Sequence, residues 1–412
     1  MIERKEYIEE VLPFVNKPFI KILTGIRRSG KSTIMLMLIK ELKKQRIEEK
    51  QIFHTKFDGL EYEDYTAKDI LKLLKSKLVE GKRTYLFLDE VQEIEGWEKA
   101  VNELFDSSKY NVDIFLTGSN SRMLSSEIST YLTGRYVHFN IYPLSFEEYL
   151  QFINNNEDIY KKFVEYIKIG GFPAIHANGL DVESAYLVVN DIYKTIVFTD
   201  IVKRNNIRNI GQLERIVKFV IENIGKTFSA NTISNYFKSQ NRTIDIETIY
   251  NYLTKLESAY IINRCSRYDL QGKEILKTQE KFYLTDLAIK YSLVGYNETS
   301  VASSLENIVY IELKRRGYEV CIGKLKELEI DFVGEKQGEK IYIQVARKIN
   351  RAKDGEEKSD VEKREYENLL KITDNYPKYV LTMENTARWK LWRNKINAYS
   401  RLVIRKIMLE KI

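Results

Sequence analysis

Cysteine is scarce in this chain. Cys265 and Cys321 are its only 2 cysteines, too few for a disulfide framework or a thiolate zinc site, and such usage suits a reducing cytosol. The 3 histidines, His54, His138 and His176, stand far apart, so structural roles are expected of them rather than a metal centre. With 5 prolines and 19 glycines there is no low-complexity linker, and no internal repeat is evident. No window reaches the roughly 18 uncharged apolar residues that a membrane-spanning helix needs, and Met1-Ile2-Glu3-Arg4-Lys5-Glu6 is not an apolar signal segment. The expectation is a cytoplasmic protein without a membrane partner. A strong charge imbalance is missing too. The formal net charge of +7 permits a nucleic-acid or acidic partner without requiring one.

What is present is a globular composition, 43% hydrophobic and 30% charged, which excludes a disordered chain. Its 412 residues call for roughly two to four domains.

The most informative stretch is Gly25-Ile26-Arg27-Arg28-Ser29-Gly30-Lys31-Ser32. The apolar run Phe19-Ile20-Lys21-Ile22-Leu23 precedes it, and Thr33-Ile34-Met35-Leu36-Met37-Leu38-Ile39 follows. Strand, glycine-bounded loop and helix in that order make G-x-x-x-x-G-K-[ST] a phosphate-binding loop. Gly25 and Gly30 let the backbone curl so that successive N–H groups converge on phosphate oxygens. The helix opening near Lys31 adds its N-terminal donors and partial positive charge. Lys31 is suited to the β- and γ-phosphates, and the Ser32 hydroxyl to magnesium. The nucleotide-binding set therefore runs from Gly25 through Thr33. Arg27 and Arg28 are expected to face solvent or a partner, since backbone amides and Lys31 already cover the phosphates.

Further along, Thr84-Tyr85-Leu86-Phe87-Leu88-Asp89-Glu90 is an apolar strand ending in two carboxylates. At the carboxyl end of a parallel strand, Asp89 would stand beside a magnesium ion and Glu90 would orient and deprotonate the attacking water. Two acids capping a turn is the plainer alternative. Strands are also expected at 51–57, 111–120 and 136–139. The third of the apolar strands ends in Gly118-Ser119-Asn120, where Ser119 or Asn120 would sense the γ-phosphate if the segment is not simply a turn.

Taken together, Gly25…Lys31-Ser32, Leu88-Asp89-Glu90-Val91-Gln92, Leu116-Thr117-Gly118-Ser119 and Leu132-Thr133-Gly134-Arg135 resemble the AAA-type ATPase domain of a widespread prokaryotic family. That family carries a C-terminal region of unassigned function. Its members resemble archaeal ATPases that join the motor to a winged helix and a restriction-endonuclease-like fold. The resemblance implies ATP and Mg2+ as ligands. It also implies that Arg135 acts as an arginine finger or sensor, although its own context equally suits a surface arginine.

From Ser145 the pattern turns helical, with Ser145 and Glu148 spaced as a capping box. A break at Gly170-Gly171-Phe172-Pro173 and a helix over 186–203 complete what looks like a small helical lid. Between 211 and 290, three amphipathic segments precede two strands, 260–265 and 281–284, the layout of a winged helix-turn-helix. Its third helix would offer Thr248, Asn251, Tyr252 and Lys255 outward to DNA, with Arg264, Arg267 and Lys273 on the wing. Glu247, Glu257 and Asp269 dilute that basic face, so a protein-docking use stands beside DNA binding.

Residues 301–346 follow a helix–strand–hairpin pattern. A helix acid, a strand Asp, then acid-x-Lys is the layout of a metal nuclease. Glu306 and Asp331 fit the first two places, but the last reads Gln344-Val345-Ala346. Both the second strand carboxylate and the lysine are absent, which argues for a vestigial site; Arg347, Lys348 and Arg351 lie just beyond, and of these Lys348 is the candidate substitute for the lysine. The segment from Lys358 to Ile412, with Trp389 and Trp392 in packing roles, would complete the domain.

The chain therefore reads as an α/β protein. Residues 1–144 form a P-loop parallel sheet, 145–205 a helical lid, 206–290 a winged helix, and 291–412 a small restriction-endonuclease-like domain. The expected activity is Mg2+-dependent ATP hydrolysis, coupled to DNA or to a protein partner. The alternatives are a slow nucleotide-dependent switch that binds a protein, and an ATP-dependent nuclease, which Gln344 and Ala346 disfavour. A homo-oligomer would be needed if Arg135 acts in trans.

Overall fold

The computed structural model describes residues 3–106, 109–124, 134–153, 158–272, 274–347 and 368–383. Two compact units emerge. The first takes in Met1–Pro143 together with the short pieces Phe198–Asp200 and Ser258–Tyr260; the second comprises the remainder.

The first unit is built on five parallel strands: β1 (Ile20–Thr24), β2 (Ile52–Lys56), β3 (Thr84–Asp89), β4 (Val112–Gly118) and β5 (Tyr136–Asn140). They lie in the order β2-β3-β4-β1-β5. Parallel strands covered on both faces are buried throughout rather than on alternate residues, as β1 and β3 are. Ile20 and Ile22 turn to one face, where Ile70 and Leu74 of α3 (Ala67–Ser76) and Trp97, Val101 and Leu104 of α4 (Trp97–Asp106) cover them. Leu23 turns to the other face. It meets Ile34, Met35 and Leu38 of α2 (Lys31–Lys44) and Tyr7 and Val11 of α1 (Lys5–Val11). Lys21 is also buried there, paired with Asp113 and lying over the Phe115 ring. The register aligns Thr24 with Gly118 and Leu88 with Leu116, so the ends of β1, β3 and β4 meet along one edge.

The second unit opens with α5 (Phe146–Ile153), where the Ser145 N–H donates to the Glu148 carboxylate at 2.8 Å and the Glu148 N–H returns to Ser145 Oγ at 3.1 Å. This is the reciprocal cap that the S-x-x-E spacing predicts. Then come α6 (Ile159–Ile169), α7 (Pro173–Ala177) and α8 (Val182–Thr195), continued by a π-helical run over Ile196–Lys203. Next are α9 (Ile210–Glu222), α10 (Ala230–Ser239) and α11 (Ile246–Ser258), at the three amphipathic segments of the sequence.

The two strands that follow, β6 (Ile262–Asp269) and β7 (Glu274–Leu284), do not stand apart as a wing. They share one six-stranded sheet with β8 (Glu319–Leu325), β9 (Leu328–Lys336), β10 (Glu339–Ala346) and β11 (Lys378–Thr382), in the order β11-β10-β9-β8-β6-β7. Parallel pairing of Arg267 with Ile322 makes the join. The boundary expected at residue 290 therefore cuts through a single sheet. Helices α12 (Leu287–Val294) and α13 (Val301–Arg315) lie between its strands in sequence. Lys273, Lys348, Arg351, Trp389, Trp392 and the Leu132-Thr133 pair lie outside the described residues.

Lys290 on α12 is 5% exposed, among Leu287, Ala288, Ile289 and Tyr291. Burial, helped by Lys226, lowers its pKa to about 8. A depressed lysine costs stability while charged in the fold, by up to about 3 kcal/mol at neutral pH. Between pH 8 and the ordinary lysine value the unfolded chain holds more protons than the folded one, so stability should rise with pH across that window. Lys290→Met is expected to raise the melting temperature at pH 7 and to flatten that rise. An unchanged pH profile in thermal melts would refute the assignment.

Candidate nucleotide site

The loop after β1 is forced into its shape by its neighbours. Gly25 has φ +144°, and a side chain there would collide with the Ile141 carbonyl oxygen. Ile141 is itself fixed by its N–H bond to the Thr24 carbonyl at 2.7 Å. Gly30, at φ +100°, caps α2 in a conformation that L side chains rarely adopt. Arg4 braces the loop from outside by donating to the Ser29 carbonyl at 2.9 Å.

Lys31 is 4% exposed and folds back over the loop, its Nζ donating to the carbonyls of Gly25 at 3.0 Å and Ile26 at 3.1 Å. Burial pulls its pKa down, while Glu90 and then Asp89 oppose the fall. Ser29 Oγ is buried and has no hydrogen-bond partner among the described residues. An orphaned hydroxyl inside a phosphate-type loop is a group that a ligand oxygen would satisfy. Ser32 and Thr33 sit half-buried in the first turn of α2, and Arg28 is exposed.

Asp89 ends β3 and Glu90 follows it, at the edge where β1 also ends, and both are buried. Glu90 adopts φ +51°, a strained conformation for a non-glycine residue. Thr117 on β4 holds both acids in place: its hydroxyl accepts the Glu90 N–H at 3.0 Å and donates to the Asp89 carboxylate. Gln92 Nε2 donates to Glu90 at 2.5 Å. Burial works against ionising Glu90, but Lys31, Gln92, Arg27 and Ser119 outweigh it and hold the pKa below the usual carboxylate range. Glu90 is thus an ionised carboxylate on a fixed backbone, the form a general base requires. Ser119 and Asn120 are both buried just beyond β4, on the same edge.

The donor chemistry fits magnesium bound jointly with a nucleotide. Among the described residues no three acids, histidines or cysteines converge to cage a metal alone. One hydroxyl (Ser32) and one carboxylate (Asp89), completed by phosphate oxygens and water, suit a hard octahedral cation.

Arg135 and Arg27 are each engaged by a carboxylate. Arg135 lies just before β5, and its carbonyl accepts the Ile20 N–H at the opening of β1. It is therefore at the opposite edge from its own phosphate loop, roughly 15 Å away by strand rise. There it pairs with Asp106 at 3.0 Å and donates to Asn102 at 3.2 Å, so it does not serve its own chain's loop as a finger. Arg27 does not simply face solvent; it binds Asp200 at 3.0 Å.

In the second unit, the expected outward face of α11 is only partly outward. Asn251 is exposed, but Tyr252 is buried with Ile249, Leu253 and Leu256. Thr248 bonds back to Asp245 at 2.7 Å, and Lys255 donates to Asn205 at 3.1 Å. Arg264 is clasped by Glu257 at 2.8 Å and Glu280 at 3.1 Å. Asp331 and Gln344 adjoin each other on β9 and β10. Gln344 accepts the Asp331 N–H at 3.2 Å, and Asp331 accepts the Val345 N–H at 2.7 Å. A buried lysine that no local sequence pattern singles out joins this group. Lys281 of β7 bridges Glu306 and Glu329, each at 2.8 Å, and Tyr283 donates to Glu306 at 2.5 Å. Burial opposes the Lys281 charge, but Glu306, Asp331 and Glu329 raise its pKa above the ordinary value. An ammonium thus occupies the carboxylates.

A parallel sheet in the order β2-β3-β4-β1-β5, with the glycine-bounded loop after β1 and two acids after β3, defines the first unit as a P-loop fold. Comparison with known proteins narrows this. Residues 17–150 match a family model described as an AAA domain, and residues 160–300 match one described as a domain of unknown function. An uncharacterized protein of Haemophilus influenzae is 36% identical over 387 residues, 93% of each chain. An uncharacterized protein of Methanocaldococcus jannaschii is 32% identical over 349 residues, 80% of this chain and 75% of that one. The chain belongs to the same family as these two proteins, and its residues 17–150 carry the AAA domain. Among solved structures, a Walker-type ATPase of Pyrococcus abyssi aligns with a TM-score of 0.50 over 71% of this chain and 96% of that one. At 15% identity it shows likeness of fold alone.

Proposed function

We propose that this protein is a Mg2+-dependent ATPase. The observation that carries the reading is the buried Lys31 inside its glycine-bounded loop, within the field of the Asp89–Glu90 pair at the end of β3. The loop amides and Lys31 would bind the phosphates, and Ser32 with Asp89 would hold magnesium, which supplies charge neutralisation at the β- and γ-oxygens. Glu90, held by Thr117 and Gln92, orients a water and accepts its proton. Ser119 or Asn120 would sense the terminal phosphate.

A protein-docking use of the helices over 210–258 is favoured over duplex DNA, because Glu247 is exposed on α11 and Arg264 is already neutralised by two carboxylates. Counterion release needs free cations facing phosphate. That would make the ATPase a nucleotide-dependent switch for a protein partner. If Arg135 serves a phosphate at all, it does so on a neighbouring copy.

Lys31→Ala is expected to weaken ATP binding at least about tenfold and to abolish turnover, since a charge-assisted contact to the phosphates is lost. Titration with a fluorescent ATP analogue and steady-state phosphate release, each with and without duplex DNA, make the test. Equal binding by variant and wild type would sink the nucleotide reading. Turnover stimulated by DNA would overturn the preference for a protein partner.

A further inference from the structure

Asp200 lies outside every motif of the phosphate-loop pattern, 173 residues from Arg27, yet it is built into the site. It stands in the π-helical run over Ile196–Lys203, in the piece Phe198–Asp200 that groups with the first unit. Its side chain is 1% exposed. Arg27 grips it with two donors, Nε to Oδ2 at 3.1 Å and Nη2 to Oδ1 at 3.0 Å. A guanidinium held by both prongs has its plane and direction fixed.

The same guanidinium is electrostatically coupled to Glu90 and Glu93, and Lys31 is coupled in turn to Arg27, Asp200, Asp89 and Glu90. Two cations and four carboxylates therefore make one charge cluster around the loop. Arg27 keeps its charge whatever its burial, whereas Lys31 is buried with its proton affinity reduced. The backbone cradle does not need a charged side chain at position 27. What the arrangement supplies is a preset, always-ionised cation beside the phosphate cradle. The two-oxygen acceptor that it now grips has the same fork geometry as a phosphoryl group. The π-helical turn that delivers Asp200 is a rare backbone form, found frequently at functional sites.

We propose that Asp200 is a positioning residue of the ATPase site. It holds Arg27 as a second phosphate-side cation, alongside Lys31, so that the guanidinium stabilises charge developing on the terminal phosphate of a nucleoside triphosphate. Neither residue makes or breaks a bond; Arg27 acts by electrostatics and Asp200 acts through Arg27. This inference rests on the nucleotide reading above.

The test uses the full-length protein, with steady-state ATP turnover and equilibrium binding of a fluorescent ATP analogue. Asp200→Asn and Arg27→Ala should each lower kcat about tenfold or more while KM for ATP stays within about threefold, because the cation acts on the transition state. The double variant should be no slower than the slower single variant, and Asp200→Glu should recover part of the lost turnover. Arg27→Lys, which leaves the buried carboxylate with a cation, guards against a folding defect. It too should lose turnover, since it has no fork. Unchanged kcat in the Arg27 variants, or losses that multiply in the double variant, would overturn the proposal while leaving the ATPase intact. Wild-type protein indistinguishable from Lys31→Ala in both assays would instead remove the nucleotide reading, and this inference with it.

Discussion

Glu90→Gln is expected to lower ATP turnover at least about a hundredfold while leaving nucleotide affinity within about threefold, the pattern of a lost general base rather than a lost binding contact. The substitution is nearly isosteric. The amide oxygen can still accept the Gln92 Nε2 hydrogen bond, and the backbone N–H still reaches Thr117 Oγ1. What disappears is one negative charge and one basic oxygen. Of the charges acting on Lys31, Glu90 is the largest, so its loss leaves that ammonium more available to phosphate. Affinity should therefore hold or tighten. The melting temperature should move little, because the strained φ of +51° is kept in both forms. Phosphate release measured beside equilibrium binding separates the two effects. Turnover within threefold of wild type would remove Glu90 from the chemistry and leave Asp89 alone at the end of β3.

Glu90, Lys31 and the glycines of the loop could be read from sequence because each depends on local order: a strand, a turn that only glycine enters easily, a helix start, a strand end. The capping pair Ser145 and Glu148 is legible for the same reason. The residues that escaped act across long separations. Thr117 reaches Asp89 from 28 positions away and Lys281 reaches Glu306 from 25, while Asp200 meets Arg27 across 173. No periodicity reports such pairs. Tyr252 is buried for a subtler reason. It stands three residues after Ile249 and four before Leu256, so it lies within the apolar stripe of α11 rather than beside it. Arg135 follows a glycine just before a strand, and only the parallel register with Ile20 shows which edge it occupies. The boundary at 290 failed on pairing as well, since β6 and β8 are joined by a ladder between residues some fifty positions apart.

Lys281→Met is expected to destabilise the protein by about 3 kcal/mol in chemical denaturation, because it removes the cation from carboxylates that the fold keeps close together. Glu306 is the more buried of the two partners, with 15% of its side chain exposed against 37% for Glu329, so most of the penalty should fall on Glu306. Methionine keeps the length and apolar stem of lysine, which limits the packing loss and isolates the charge effect. If uncompensated charge is the cause, Lys281→Met with Glu306→Gln should recover a substantial part of the loss, whereas a packing defect would persist in the double variant. The outcome also bears on what the acid cluster is for. Carboxylates already neutralised by a buried ammonium, which accept a tyrosine hydroxyl and backbone or side-chain donors, have their charge and lone pairs engaged inside the fold. A large loss in Lys281→Met, reversed by Glu306→Gln, would make the ammonium the cation that this sheet was built around. A neutral Lys281→Met would show that the acids do not depend on Lys281 and would reopen the place between them to another cation.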